Sequence, residues 1–325
     1  MKFLNISFGG GGITQEVLKS TLIFKLLEKF SINPIKFTNL SKADLIFYGP
    51  YYNLYEKLIN KFFNKFFLKN EFNPNILKFY KTVNKRAKKI FLSFENSIKY
   101  RNIKADYYFT NLLGIPDKDH FRSPYWKNCA NWPEYDIIFE ENVSGAGFRY
   151  GGYYSIEKML RPQGEFFIKK NKKFCFFTSH MSYPRNEIYS IFKENFTIDG
   201  YGSYFNKKIV NHNSSLIKKK EILEIYSFNL CPHTFATPGL YGSDISDAFL
   251  AGCLPVTWAD QNINYEFNKK SFVNLIEYQH ENYSEIIDLL KDDVYLKRYT
   301  NEPLLESKPN LDKEITFVKN IINSL

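Results

Sequence analysis

"SFNLCPHTFATPGLYGSDISDAFLAGCLPVTWADQNINYEFNKKSFVNL", residues 227–275, carries the clearest structural signals in the chain. A short apolar run ends at Cys231, and Pro238-Gly239 marks a turn after it. Ser243 stands where a helix N-cap belongs, with Asp244 and Asp247 in the turns that follow, and Gly252 is placed to close that helix. "LPVTWA" (254–259) then resumes as a strand and stops at a polar loop. Strand, helix and strand at this spacing make one βαβ unit, whose strands must run parallel.

The same alternation extends outward. Upstream lie a strand at "KKFCFFTS" (172–179), a helix at "RNEIYSIFKEN" (185–195), a strand at "FTIDG" (196–200) and a helix at "KKKEILEIY" (218–226). The N-terminal half gives strands at "MKFLNISF", "ADLIFYG", "KKIFLSF" and "ADYYFTN". One helix is expected over 13–30, with Leu18, Leu22, Leu26 and Phe30 on one face, and another over 54–69. The stretch 126–165, rich in Trp, Tyr, Gly and Pro without a clear period, reads as loop and linker. Two βαβ blocks around an irregular segment predict an α/β protein of two doubly wound, Rossmann-like domains facing a cleft. The boundaries fall at 1–165 and 166–300, with a C-terminal helix in 301–325 packing back on the first domain. Ligands of such sheets bind beyond the carboxyl ends of the strands.

Hydrophobic residues make up 44% of the 325 and charged residues 24%, a globular balance rather than a disordered one. The 32 Phe and 24 Tyr, with abundant Lys, Asn and Ile, match the imprint of an AT-rich genome. The net charge of +10 suits anionic ligands, nucleic acid or an anionic membrane face, and equally follows from lysine codons. The lysines are dispersed and no nucleic-acid module is present, which argues against a nucleic-acid partner. Cys129, Cys175, Cys231 and Cys253 show no CxxC spacing and read as buried free thiols. With no signal peptide and no apolar run of spanning length, the expected location is cytoplasmic, a lysine-mediated contact at the inner membrane face being the looser alternative.

Four features bear on chemistry. Glu95 and Asn96 follow the strand at 88–94, at the end where a carboxylate either meets solvent or serves as a base. Gly9 to Gly12 form a strand-to-helix turn without the ending of a phosphate-binding P-loop, which leaves a tight turn with close backbone approach to a ligand. Asp117-x-Asp119 follows Gly114-Ile115-Pro116 and reads as a turn rather than a metal site. Arg185 opens a helix at the end that disfavours cations, a placement that makes sense when it shares an anion with the free backbone N–H groups there.

In these blocks the chain resembles the alpha-1,3/1,4-fucosyltransferases, glycosyltransferase family 10. That family carries F-N-L-C-F-E-N-S, then Y-V-T-E-K, D-A-F-x-x-G-x-x-P-I-Y-W-G and F-N-x-x-S-F-I; here "FNLC" stands at 228–231, "DAFLAGCLPVTWAD" at 247–260 and "FNKKSFVNL" at 267–275. "KKFCFFTSHMSYPRNEIYSIF" is similar to K-F-C-x-F-V-x-S…R-N-x-x-Y, "IFLSFENSIKYRNIKADYYFTN" to V-F-Y-T-G-E-N…D-Y, and "FRSPYW" to R-x-P-L-Y. The likeness covers most of the chain and is most specific in its last third.

The resemblance implies a GT-B fold, an N-terminal acceptor-side domain, a C-terminal nucleotide-sugar domain, no cofactor and no metal. The co-substrate it implies is GDP-fucose and the partner a bacterial surface-glycan hydroxyl, with a GDP-heptose, or a sugar- or nucleotide-binding homologue without catalysis, as alternatives. Glu95 would be the base of an inverting displacement and Arg185 the cation on the donor phosphates. The donor set would comprise Arg185, Ser179, His180, Asn186, Tyr201, His233, Tyr241, Ser243 and Asp244. Gly10, Gly11, Asn96, Arg122 and Tyr125 would face the acceptor. The chain departs from the family where F-E-N-S becomes Pro232-His233-Thr234-Phe235, and where Ser243 and Asp244 replace a glutamate and a lysine. An anion in place of that lysine costs on the order of 4 kcal/mol per unit-charge contact at an effective dielectric near 20. The sequence therefore calls for another cation (Lys207, Lys208, Lys218, Lys219 or Lys220), a different donor sugar, or loss of transfer.

Overall fold

The computed structural model describes residues 2–9, 13–49, 84–94, 105–115, 119–139, 153–206, 219–278 and 283–325. They form two compact units, one of residues 1–124 with 310–325 and the other of 125–309.

The first unit is built on β1 (Leu4–Gly9), α1 (Gln15–Lys19), α2 (Leu22–Phe30), β2 (Ile35–Phe37), β3 (Leu45–Tyr48), β4 (Lys88–Ser93), β5 (Tyr107–Thr110) and β6 (His120–Arg122). Its strands pair in parallel in the order β2-β1-β3-β4-β5-β6. β3 is buried at all four positions, as a strand covered on both faces must be. The single helix expected over 13–30 is two. Ser20 closes the first and Thr21 caps the second, its hydroxyl accepting from the Phe24 N–H and donating to the Leu18 carbonyl. The C-terminal helix (Asp312–Asn323) packs in this unit, Phe317 stacking on Phe121 at 4.7 Å and meeting Tyr107 edge-on at 5.8 Å.

The second unit contains α3 (Ile156–Met159), β7 (Phe174–Phe177), α4 (Arg185–Asn195), β8 (Ile198–Tyr201), α5 (Lys219–Leu223), β9 (Phe228–Leu230), α6 (Asp244–Leu250), β10 (Leu254–Thr257) and β11 (Val273–Asn274). Its parallel sheet has the order β11-β10-β9-β7-β8. Phe174, Phe192, Phe228, Leu230, Leu254 and Val256 form the core, with Phe174 stacked on Phe228 at 4.7 Å. α6 ends as its sequence predicts: Gly252 takes a φ of +66°, and the Lys170 ammonium donates to the last carbonyls, Ala251 at 3.1 Å and Gly252 at 2.6 Å.

The described part of 126–165 is not a linker. Trp126, Trp132, Tyr154 and Met159 are buried, and short 3₁₀ turns at Tyr125–Cys129 and Pro133–Tyr135 hold the two indoles 6.1 Å apart. Burial of this aromatic cluster joins the segment to the second unit, so the compact units divide after Pro124 rather than at 165. A stretch without a period still buries apolar area when its aromatics are large.

Candidate functional site

In the second sheet the chain runs from β7 outward to β8, then returns to the other side of β7 for β9 and continues to β10 and β11. The direction of progression reverses between β7 and β9. Helices and connections diverge at such a switch point, leaving a crevice beyond the strands' carboxyl ends.

Arg185, the first residue of α4, spans this point. Its Nε donates to the carbonyl of Pro232 just past β9 at 2.9 Å, and its Nη1 donates to the Thr178 hydroxyl just past β7 at 3.2 Å. Thr178 is fixed in turn by donating to the His180 carbonyl at 2.7 Å. Among the described residues Arg185 forms no salt bridge. Burial lowers its pKa, with the Asp244 charge opposing, but a guanidinium stays protonated. Two of its five N–H groups are committed to the scaffold, so the fork has capacity for an anion.

Behind it sits a buried charge cluster. Lys219, on α5, donates to Asp244 Oδ1 and to Asp247 Oδ2 at 2.5 Å, both carboxylates lying in the first turns of α6. Tyr154 donates to the other oxygen of Asp247, and Ser243 donates to Asp247 Oδ2 at 3.1 Å. Burial opposes charge on Lys219, yet the two carboxylates hold its pKa well above the ordinary range. Burial would also raise Asp244, but the ammonium keeps it below the usual carboxylate value; Asp247, far deeper, is pushed up by desolvation. Side-chain exposure of 33% for Asp244 against 3% for Asp247 explains why the first carries the charge more readily. Ser243 occupies the N-cap position, but its hydroxyl serves Asp247 rather than the helix N–H groups.

His233 lies just beyond β9. Its N–H donates to the Trp258 carbonyl at 3.0 Å, and its ring meets Tyr241 edge-on at 6.1 Å, with the Tyr241 hydroxyl donating to Asp260 at 2.8 Å. Burial lowers the His233 pKa to about 4, Arg185 acting in the same direction and Asp244 and Asp260 against it. The imidazole is therefore neutral at neutral pH.

The sequence-derived donor set is thus brought together in part. Arg185, His233, Tyr241, Ser243 and Asp244 lie in one cluster with Thr178, Lys219, Asp247 and Asp260, which His180, itself exposed, joins only through its backbone. Tyr201 flanks it, stacked on Phe177 at 5.2 Å, and its hydroxyl is bonded to that of Tyr226. Ser179 and Asn186 are exposed and reach none of these side chains through a hydrogen bond. Arg122 ends β6 in the first unit, donating from Nε to the Asn111 carbonyl at 3.2 Å, whereas Tyr125 begins the second unit. Glu95, Asn96, Gly10, Gly11 and Asp117 lie outside the described residues, as do Lys207, Lys208 and Lys218. Of the remaining lysines, Lys220 pairs with Glu224 at 3.7 Å, and Lys219 is the cation beside Asp244. Thr178, Asp260 and Tyr154 were missed in the sequence: their roles are side-chain bonds across 7 to 93 residues, which no local pattern announces. Among the described residues no group of three or more His, Cys, Asp or Glu is arranged to hold a metal, and no helix is long and apolar enough to cross a membrane.

No family model matches the chain. In sequence, 141 residues, 42% of the chain, are 31% identical to an alpha-(1,3)-fucosyltransferase of Helicobacter pylori, a match spanning 28% of that protein's length. In structure, an alpha1,3-fucosyltransferase crystal structure superposes with a TM-score of 0.64 at 20% identity, covering 98% of this chain and 90% of the other. The same holds for an alpha1,3-fucosyltransferase with GDP-fucose, at a TM-score of 0.64 and 19% identity, and for one with GDP, at 0.61 and 20%. The chain shares the fold of these alpha1,3-fucosyltransferase structures. Its two parallel, doubly wound sheets are those of the GT-B type.

Proposed function

We propose that this fucosyltransferase-like chain is an inverting glycosyltransferase that moves a sugar from a nucleoside-diphosphate sugar, GDP-fucose by default, to a hydroxyl of a bacterial surface glycan. The observation that carries the reading is Arg185: a cation placed against its own helix dipole, straddling the switch point with most of its N–H groups uncommitted. A diphosphate leaving group develops negative charge as its bond to the sugar C1 breaks, and a preoriented guanidinium stabilises that charge. Glu95, following β4, would take the acceptor hydroxyl's proton as its oxygen attacks C1 from the opposite face. Gly10, Gly11, Asn96, Arg122 and Tyr125 would meet the acceptor. Reaction by this route needs neither metal nor cofactor, and the expected location is the cytoplasm, with a peripheral contact at the inner membrane face as the alternative.

A second reading is favoured by Lys219. Its ammonium is neutralised by Asp244 and Asp247, so it cancels a carboxylate rather than adding net positive charge for a diphosphate. That balance fits a GDP-sugar other than GDP-fucose, such as a GDP-heptose, or a homologue that binds without transfer. Thermal-shift titration with GDP-, UDP-, CMP- and dTDP-sugars separates these: stabilisation by one nucleotide class establishes the donor site, and hydrolysis-corrected nucleotide release with an acceptor establishes transfer. Glu95→Gln is then expected to lower the transfer rate about 10²-fold or more while leaving nucleotide affinity within a few-fold. A rate within a few-fold of wild type would remove Glu95 as the base.

A further inference from the structure

His233 stands out among the buried polar groups of the second unit. It is 7% exposed, and its Nε2 is buried without a hydrogen-bond partner among the described residues. A buried nitrogen left this way costs about 1–3 kcal/mol, and native interiors satisfy the great majority of such groups. The ring is not placed by a polar partner of its own; it is held by its backbone bond to Trp258 and by the Tyr241 edge. Its position at the switch point is shared with Arg185, whose Nε is bonded to the carbonyl of Pro232, the preceding residue. Asp244 closes the other side. A Cβ built on Gly242 would lie 3.6 Å from Asp244 Oδ2 and 3.9 Å from His233 Cε1, so the carboxylate and the imidazole flank that glycine together.

We propose that His233 binds the diphosphate of the nucleotide sugar directly, its Nε2–H donating to a phosphate oxygen beside the Arg185 guanidinium. The inference rests on the glycosyltransferase reading above and assigns a contact within that site. A phosphate oxygen accepts hydrogen bonds only, which matches a neutral imidazole in its Nε2–H form. The contact adds a donor where the nearby ammonium of Lys219 is already committed to two carboxylates. It also gives a partner to the His233 Nε2, which has none among the described residues. The Arg185 guanidinium, bonded to the carbonyl of the residue before His233, favours an anionic acceptor over a nucleobase or a sugar hydroxyl.

The test uses full-length protein with ¹⁵N-labelled histidine, the His233 resonance being assigned from its loss in His233→Gln. GDP is titrated first, then UDP, CDP and dTDP. Binding is expected to shift the His233 Nε2 resonance. His233→Leu, which cannot donate, is expected to weaken the Kd at least 10-fold, while His233→Gln, whose amide can, stays within about 3-fold. A nucleotide that binds wild type while the resonance stays fixed, or with a Kd unchanged in His233→Leu, overturns the assignment and leaves the donor site standing. Failure of every diphosphate to bind wild type overturns both. Should His233→Leu not fold, the wild-type resonance decides.

Discussion

Two helices of the second unit start at the same edge of the same sheet with opposite charges. α6 begins with Asp244 and Asp247, which suits the positive end of a helix. α4 begins with Arg185, behind a Pro184 N-cap that gives no side-chain cap bond. The favourable pair is then spent internally, since both carboxylates of α6 are bonded to Lys219. The unfavourable residue is held from outside by Pro232 and Thr178 and keeps N–H groups unspent. Charge that obeys the local rule has become scaffold, and charge that breaks it marks the candidate site.

The sharpest way to break this contrast is to remove the cation on the α6 side. Lys219→Met strands two carboxylates, one of them 3% exposed, and is expected to cost about 3–5 kcal/mol in denaturant unfolding. A loss under about 1 kcal/mol would show that the cluster is not a structural unit. Acid probes the edge between the two helices. His233 is held neutral to about pH 4, whereas the unfolded chain takes up that proton near its ordinary value of 6.5. The unfolded state therefore binds more protons between these values, and stability falls as pH drops from about 6.5 to 4, by up to about 3 kcal/mol. His233→Gln is expected to flatten that part of the profile; an identical slope in the variant would contradict a buried neutral imidazole.

On the α4 side the effect belongs to binding. Arg185→Ala is expected to weaken GDP about 10- to 100-fold by calorimetry, from a charge-assisted contact of about 1.5–3 kcal/mol, and Arg185→Lys to restore only part of it. Unchanged affinity would take Arg185 out of the site. The smallest effect is expected next door to the largest. Lys220→Ala removes an exposed pair with Glu224 and should change stability by less than about 0.5 kcal/mol, against several for its neighbour. Equal losses at the two lysines would mean that burial is not what separates them.

Legibility followed the range of the interaction concerned. β9, α6 and β10 were readable because an apolar run, an acidic first turn and a closing glycine are local signals, and Gly252 adopts the expected left-handed backbone. The break at Ser20-Thr21 is hidden in the sequence because the apolar spacing continues across it, and the Ser20 C-cap and the Thr21 N-cap separate the two helices. Arg185 announced itself by its conflict with the dipole. Ser243 stands at the N-cap position, but its backbone is already helical rather than extended, and its hydroxyl donates to Asp247 without accepting from the helix N–H groups. The aromatics of 126–165 gave no period, so their burial could not be anticipated.

Sequence alone determined that this chain forms parallel α/β sheets, and it placed Arg185 at the entrance of α4, since periodicity, caps and turn residues act over a few positions. Only the tertiary structure decided that Lys219 rather than Lys220 answers Asp244, that Asp247 joins it, and that His233 is buried with a nitrogen unpartnered among the described residues. Those outcomes depend on distances between segments far apart in the chain, and the energy of a buried charge is set by which groups surround it rather than by its neighbours in sequence.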